Sequence, residues 1–241
     1  MDAVADLGKP RYFGSPTQQR MQAAADALWS LVGGDPLYAY EGRTVGLSAP
    51  GLEQLPTIVS LARLQGAMLM AYVSPEAEPE LTAGARTLGL STDRWDHFMG
   101  GARCIETCAA YVRDFSLPED HVVHRIGPET GDAEFDRMAE TALSCGVLPP
   151  AAQALQGLSR HGVCFWLEAP DGGAAACAGA VLRGHPDSRF ARSAWWGMLA
   201  TRPEDRGKSL SLYLGALAVL HLHETCGAEE FFTGVRRDNH V

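Results

Sequence analysis

The chain has 241 residues, 46% of them hydrophobic, which is enough to bury a sizeable core in one large domain or two small ones and excludes a disordered tail. A formal net charge of −9 at pH 7 excludes a general nucleic-acid binder, whose affinity rests on neutralising phosphates, and mildly favours a cationic or neutral substrate. The longest strongly apolar segment, residues 210–222, is broken by Ser211, Gly215 and His221 and falls short of the ~20 residues a bilayer span needs, so it reads as a buried helix with no membrane role.

No N-terminal stretch joins a basic flank to an apolar core and a small-residue cleavage site, so the expectation is a cytoplasmic chain. Its cysteines, Cys104, Cys108, Cys145, Cys164, Cys177 and Cys226, are then expected to be reduced and packed. In chain order, residues 17–32 predict a helix with Met21, Ala25, Leu28 and Val32 on one face, stopped by Gly33 and Gly34. Residues 57–64 fit helix or strand, and 67–73 a buried strand. A Pro/Glu-rich connector follows at 73–80, then a short helix over 81–88 and a strand over 91–99; 104–114 fits more than one state.

A clearer alternation starts near Asp120. Residues 121–126 predict a strand, Asp132 caps a helix running to about Ser144, and Pro149-Pro150 introduces a second short helix. Strands over 162–169 and 174–182 flank the turn Pro170-Asp-Gly-Gly173 as a hairpin, and 192–201 forms a third strand. A helix over 209–226 ends at Gly227, and 229–235 is a final strand. The best candidate boundary falls at Leu117-Pro118-Glu119, separating an N-terminal region, 1–118, from a domain over 119–241.

The most informative stretch is Leu199-Ala-Thr-Arg-Pro-Glu-Asp-Arg-Gly-Lys-Ser-Leu-Ser211, where an apolar strand ends in a small-residue basic turn that opens into a long apolar helix. Backbone N–H groups left unpaired at a helix N-terminus and the positive end of its dipole favour an anion there, and Arg206 and Lys208 add charge. Gly207-Lys208-Ser209 also reproduces the end of a nucleoside-triphosphate P-loop, but the first glycine of that motif falls on Arg202, which excludes it.

With this strand order, the region from about His121 onward resembles the GNAT superfamily of N-acyltransferases. Arg206-Gly-Lys-Ser-Leu-Ser211 matches that family's pyrophosphate loop, usually Gln/Arg-x-x-Gly-x-Gly/Ala, with Ser209 and Ser211 where the family prefers glycine or alanine. The resemblance implies an α/β (α+β) fold: a mixed, mostly antiparallel sheet flanked by helices, with an additional N-terminal α/β region. It also implies transfer of an acetyl or other acyl group from coenzyme A to a small-molecule or peptide amine by direct attack on the thioester. Acetyl-CoA or another acyl-CoA would be the cosubstrate, with no metal. The cofactor-binding set it implies is Leu199, Ala200 and Thr201 on the strand, Arg206, Gly207, Lys208, Ser209, Leu210 and Ser211 in the loop, and Asn239, which resembles the asparagine that often opens the family's next helix.

No catalytic group follows from the sequence. The strand over 192–201 has no carboxylate; Glu168, ending the first hairpin strand, is the one candidate base named, although a strand-end glutamate is more often simply exposed. The chain ends at Val241, where the family's acid-bearing helix and closing strands would follow. Residues 81–99 resemble such a closing unit, and can be read as the tail of a degenerate acyltransferase-like half or as a permuted piece completing the sheet in the same chain or, as a homodimer, in a partner. A non-catalytic module that kept the fold while the loop drifted is the competing class. Metal readings fail on spacing. Cys104 and Cys108, with His97 upstream, lack a second ligand pair; His221 and His223 point apart on a helix, and His121 and His124 fare no better on a strand. Trp195 and Trp196 alternate across a sheet, one of them in the core, and Glu229 and Glu230 face opposite ways.

Overall fold

A computed structural model describes residues 10–236. Its helices are α1 (Pro16–Val32), α2 (Leu55–Gln65), α3 (Glu78–Thr87), α4 (Ala102–Asp114), α5 (Asp132–Ser144), α6 (Ala152–Leu155) and α7 (Leu210–Cys226). The strands are β1 (Tyr38–Tyr40), β2 (Val45–Ser48), β3 (Met70–Ala71), β4 (Trp95–Gly100), β5 (Val122–Arg125), β6 (Gly162–Glu168), β7 (Ala174–Leu182), β8 (Ser193–Thr201) and β9 (Glu230–Arg236). They form a three-stranded sheet in the order β1-β2-β3 and a six-stranded sheet in the order β4-β9-β8-β7-β6-β5. In the larger sheet every neighbouring pair is antiparallel except β8 and β9, so the expected mixed, mostly antiparallel sheet flanked by helices is what forms.

The last strand is not an open edge. β4 pairs antiparallel with β9 over its whole length, from Trp95 opposite Arg236 to Gly100 opposite Phe231. The 81–99 segment therefore completes the sheet within the same chain, covering backbone groups that an edge would expose. On one face, α7 and α4 cover the sheet through Leu210, Leu214, Ala218 and Leu222, which meet Val163, Ala176, Ala194 and Phe231. On the other, α5 and α6 pack Phe135, Met138 and Leu155 over Trp166, Cys177, Trp195 and Met198. The small sheet joins this second side: Tyr40 N–H donates to the carbonyl of Arg183 just past β7 (3.0 Å).

Several local differences from the sequence reading have physical causes. Residues 67–73 yield only Met70–Ala71 as strand, because Tyr72 takes a left-handed φ of +57° that ends the extended run. The 57–64 segment is helical, with Pro56 in the first turn and Gly66 at φ +90° closing it. The unassigned 104–114 run is also a helix, with Ile105 and Cys108 turned toward the core beneath α7. Asp132 is the first residue of α5 and not its cap; Gly131 holds the cap position, and its N–H donates to the Glu134 carboxylate at 3.1 Å. Strands β1 and β2 had no sequence expectation. Trp195 is buried, while Trp196 points to the α7 side and donates to the carbonyl of Gly215 at 2.9 Å.

Candidate functional site: a parted strand pair above a helix N-terminus

β8 and β9 begin as parallel neighbours and then separate. They pair only from Ser193 opposite Glu230 to Trp195 opposite Phe232. Beyond that point β8 stays with β7 as far as Thr201, and β9 stays with β4 as far as Arg236. The wedge between them has backbone on both sides. Its origin lies in β8: the register against β7 shifts between Cys177 and Gly179, and the buried Met198 takes a left-handed φ of +60°. An extra residue in one strand bends it and increases its local twist, and here the bend falls where β9 departs. A left-handed methionine costs about 1–2 kcal/mol, and no sequence pattern announces it.

The strand then runs into the loop. Arg202 N–H donates to the carbonyl of Ala175 (3.0 Å), and Ala200 is opposite Cys177. In the alternating antiparallel pattern Ala200 turns its backbone groups toward β7 and Thr201 turns its own away. The Thr201 carbonyl accepts from Cys145 Sγ (3.3 Å) and Arg206 Nε (3.4 Å), which leaves its N–H facing outward. Residues Pro203–Asp205 make a single 3₁₀ turn, and Asp205 is buried. Lys208 Nζ donates to Asp205 at 2.6 Å, Arg202 Nε donates to its other oxygen, and Arg202 also reaches Asp171 at 2.8 Å. Burial alone would raise the Asp205 pKa, but the hydrogen bonds and charges of Lys208 and Arg202 outweigh it and hold the carboxylate below its ordinary value.

Above this staple Gly207 sits at φ +79° and Ser209 at φ +56°. Ser209 therefore occupies a conformation in which glycine is at ease, and its hydroxyl makes no capping bond to α7. Gly207, Lys208 and Ser209 are exposed, and a Cβ placed on Gly207 would meet no atom within 4 Å. The first turn of α7 thus presents its N–H groups to open space without a side-chain cap. An anion fits there with the helix dipole in its favour. Lys208 is engaged by Asp205; Arg206, exposed and held only to the Thr201 carbonyl through Nε, is the remaining charge beside that helix end.

No protein-family model matches the chain, and no curated protein does. Solved structures do. A GCN5-related N-acetyltransferase from Kribbella flavida superposes with a TM-score of 0.52 at 14% identity, covering 92% of this chain and 88% of that one. A Drosophila protein superposes with a TM-score of 0.50 at 13% identity, covering 92% and 81%. The chain has the GNAT fold.

In GNAT terms β5 to β9 with α5 to α7 follow the expected order, and β4 supplies the closing strand from an earlier part of the chain. The loop residues Arg206, Gly207, Lys208, Ser209, Leu210 and Ser211 gather at one helix end beside Leu199, Ala200 and Thr201, as the sequence reading expected of neighbours in the chain. Glu168 is not among them. It lies two strands from the gap, where His124 Nε2 (2.7 Å) and Arg137 Nη1 (3.2 Å) hold its two oxygens. Both partners also contact Trp166, His124 stacked at 4.4 Å and Arg137 over the ring at 5.0 Å, so the group ties β5, β6 and α5 together. Asn239 lies outside the described residues.

A second group of residues, unread in the sequence, gathers on the α5 side of the sheet around Phe232, the last β9 residue paired with β8. Tyr72 stacks on Phe190 (4.4 Å), meets Phe232 edge-on (4.9 Å) and hydrogen-bonds Ser193 Oγ through its hydroxyl. Burial pushes its phenol up to about 12 against the opposing effect of that bond and of Arg183. Arg183 is fully buried over Phe232 (5.5 Å), with Glu41 3.7 Å away and no hydrogen bond to any guanidinium nitrogen. His97 packs 5.5 Å from the same phenylalanine. Beside His97 a cleft of about 1170 Å³ opens between α2, β3, α3 and β4, lined among others by Met68, Met70, Val73, Glu78 and Trp95. These residues come from segments far apart in the chain, so no local spacing could have joined them. Among the described residues no three metal-ligating side chains converge, and no helix is long and apolar enough to cross a membrane. All cysteines are free; burial, then neighbouring Cys104, pushes the Cys108 thiol up to about 12, so it remains a thiol at neutral pH.

Proposed function

We propose that the chain transfers an acyl group, acetyl in the simplest case, from coenzyme A to an amine. The observation that carries this reading is the parting of β8 from β9 immediately before a helix N-terminus without a side-chain cap. An extended pantetheine arm suits a gap bordered by backbone, with the outward N–H of Thr201 as a donor. The diphosphate suits the first turn of α7, with Arg206 beside it and Ser209 already in the left-handed conformation. Direct attack of the amine on the thioester carbonyl builds negative charge on oxygen, and backbone N–H groups of β8 near the Met198 bulge, Leu199 among them, are the donors available to it.

Isothermal calorimetry with acetyl-coenzyme A tests this: saturable binding is expected, and Arg206→Ala should weaken it about tenfold, the equivalent of one charge-assisted contact. No detectable binding at high protein concentration overturns the proposal, and indifference to Arg206→Ala overturns the loop assignment. A binding module without turnover is the second reading, favoured by the engagement of Lys208 with Asp205 and of Glu168 with Arg137. Binding with no acylation of any amine would select it.

A further inference from the structure

We propose that His97 is the base that takes the proton from the acceptor amine, and that the cleft beside it receives a primary amine carrying an apolar tail. This rests on the acyltransferase reading above and assigns the acceptor side of that site. His97 lies opposite Gly234, two residues past Phe232, the last β9 residue paired with β8. It stands one strand, about 4.8 Å, from the β9 backbone that borders the gap. Its ring meets Phe232, which shares a core cluster with Trp195 and Met198, so His97 is on the same face as the bulge.

The ring is half-buried, and neither nitrogen is hydrogen-bonded to a described residue. A lone pair is therefore available on a residue that lines the cleft. Burial first, and then the positive charge of Arg183, hold the imidazole below its ordinary value of 6.5, with Asp96 opposing them. The neutral, proton-accepting form is thus the one present at neutral pH. The other titratable and charged groups on the surrounding elements are Arg63 on α2, Tyr72 after β3, Glu78, Glu80 and Arg86 on α3, Asp93 and Arg94 leading into β4, and Glu230 and Arg236 on β9; Glu78, Arg86, Asp93 and Arg94 line the cleft as well.

The rest of the cleft sets the acceptor class. Met68, Met70, Val73 and Leu81 give it an apolar wall, and methionine adapts its shape to unbranched or irregular tails. In the step itself the amine nitrogen bonds to the thioester carbonyl carbon, the C–S bond breaks with its electron pair leaving on sulfur, and one N–H proton passes to His97. The imidazolium then loses that proton to the thiolate or to solvent, so the products are the amide and the free thiol.

The test uses the full chain with acetyl-coenzyme A and hexylamine, ethanolamine serving as the polar contrast. Expected are acetylation of hexylamine in preference to ethanolamine, and a kcat that declines as pH is lowered below 6.5. His97→Gln should lower kcat about 100-fold or more while acetyl-coenzyme A binding by calorimetry is unchanged, and added imidazole should restore part of the rate to His97→Ala. A His97→Gln protein with wild-type kcat overturns the base. A protein that binds acetyl-coenzyme A but does not acetylate hexylamine overturns the acceptor class. Failure to bind acetyl-coenzyme A at all overturns the function on which both depend.

Discussion

The Arg183–Glu41 pair makes a sharp energetic test, because it is buried and poorly satisfied. The Arg183 side chain is 0% exposed and that of Glu41 4%, their closest N···O distance is 3.7 Å, and Nε, Nη1 and Nη2 of Arg183 and Oε2 of Glu41 lack hydrogen-bond partners. At an effective dielectric of about 20 the attraction is about 4.5 kcal/mol. Desolvation costs several kcal/mol for each ion, and no hydrogen bond offsets it. The pair should therefore contribute little net stability, while either charge left alone should be costly. Arg183→Met or Glu41→Met alone should each lose about 3–5 kcal/mol, whereas the double Met variant should lie within about 1 kcal/mol of wild type or above it. Urea unfolding followed by tryptophan fluorescence reads this directly. With a slope near 3 kcal/mol/M for a chain of this size, each single variant should lower the midpoint by about 1 M or more, and the double should recover it. Additive losses, approaching about 6–10 kcal/mol in the double, would refute the reasoning.

Two further outcomes follow from the loop and from the half-buried histidines His97 and His221. Ser209→Gly removes a left-handed side chain that forms no cap, so thermal unfolding should rise by about 2–4 °C for a gain near 1 kcal/mol; a lower midpoint would mean that the hydroxyl has a role in the free protein. His97 and His221 are both held below 6.5, mainly by burial and then by Arg183 and Arg125 respectively. The unfolded chain therefore binds protons at pH values where the folded one resists them. Their contribution is complete above pH 6.5 and is lost as pH falls below it toward the folded values, so the urea midpoint should drop between pH 7.5 and 5.5. Replacing both with glutamine should flatten that drop, and an unaltered pH dependence would count against it. Asp205 acts in a lower window, losing its contribution only below the ordinary carboxylate range.

Much of the C-terminal half was legible because its signals are local. The hairpin turn Pro170-Asp-Gly-Gly173, the apolar run of α7 and its stop at Gly227, and the basic turn at Arg206 each depend on residues within a few positions of one another. The state of α4 was left open by the sequence, and its contact with α7 and the sheet through Ile105 and Cys108 decides it. Strands β1 and β2 were missed because they are short, Tyr38–Tyr40 and Val45–Ser48, and owe their form to pairing with each other and with β3. Glu168 was visible as a carboxylate at a strand end, but its partners Arg137 and His124 lie 31 and 44 residues away.

By itself the sequence determined the order of elements, the anion-favouring turn before α7, and the absence of the P-loop glycine at Arg202, because composition and short-range spacing act within one segment. Tertiary structure alone decided that β4 closes the sheet, that β8 and β9 part after Trp195 and Phe232, and that His97, Tyr72 and Arg183 meet on Phe232, with Glu41 beside Arg183. Each of these depends on strand pairing, on twist generated at a left-handed Met198, or on side chains brought together from distant segments. Such contacts acquire an energy only once the sheet has assembled.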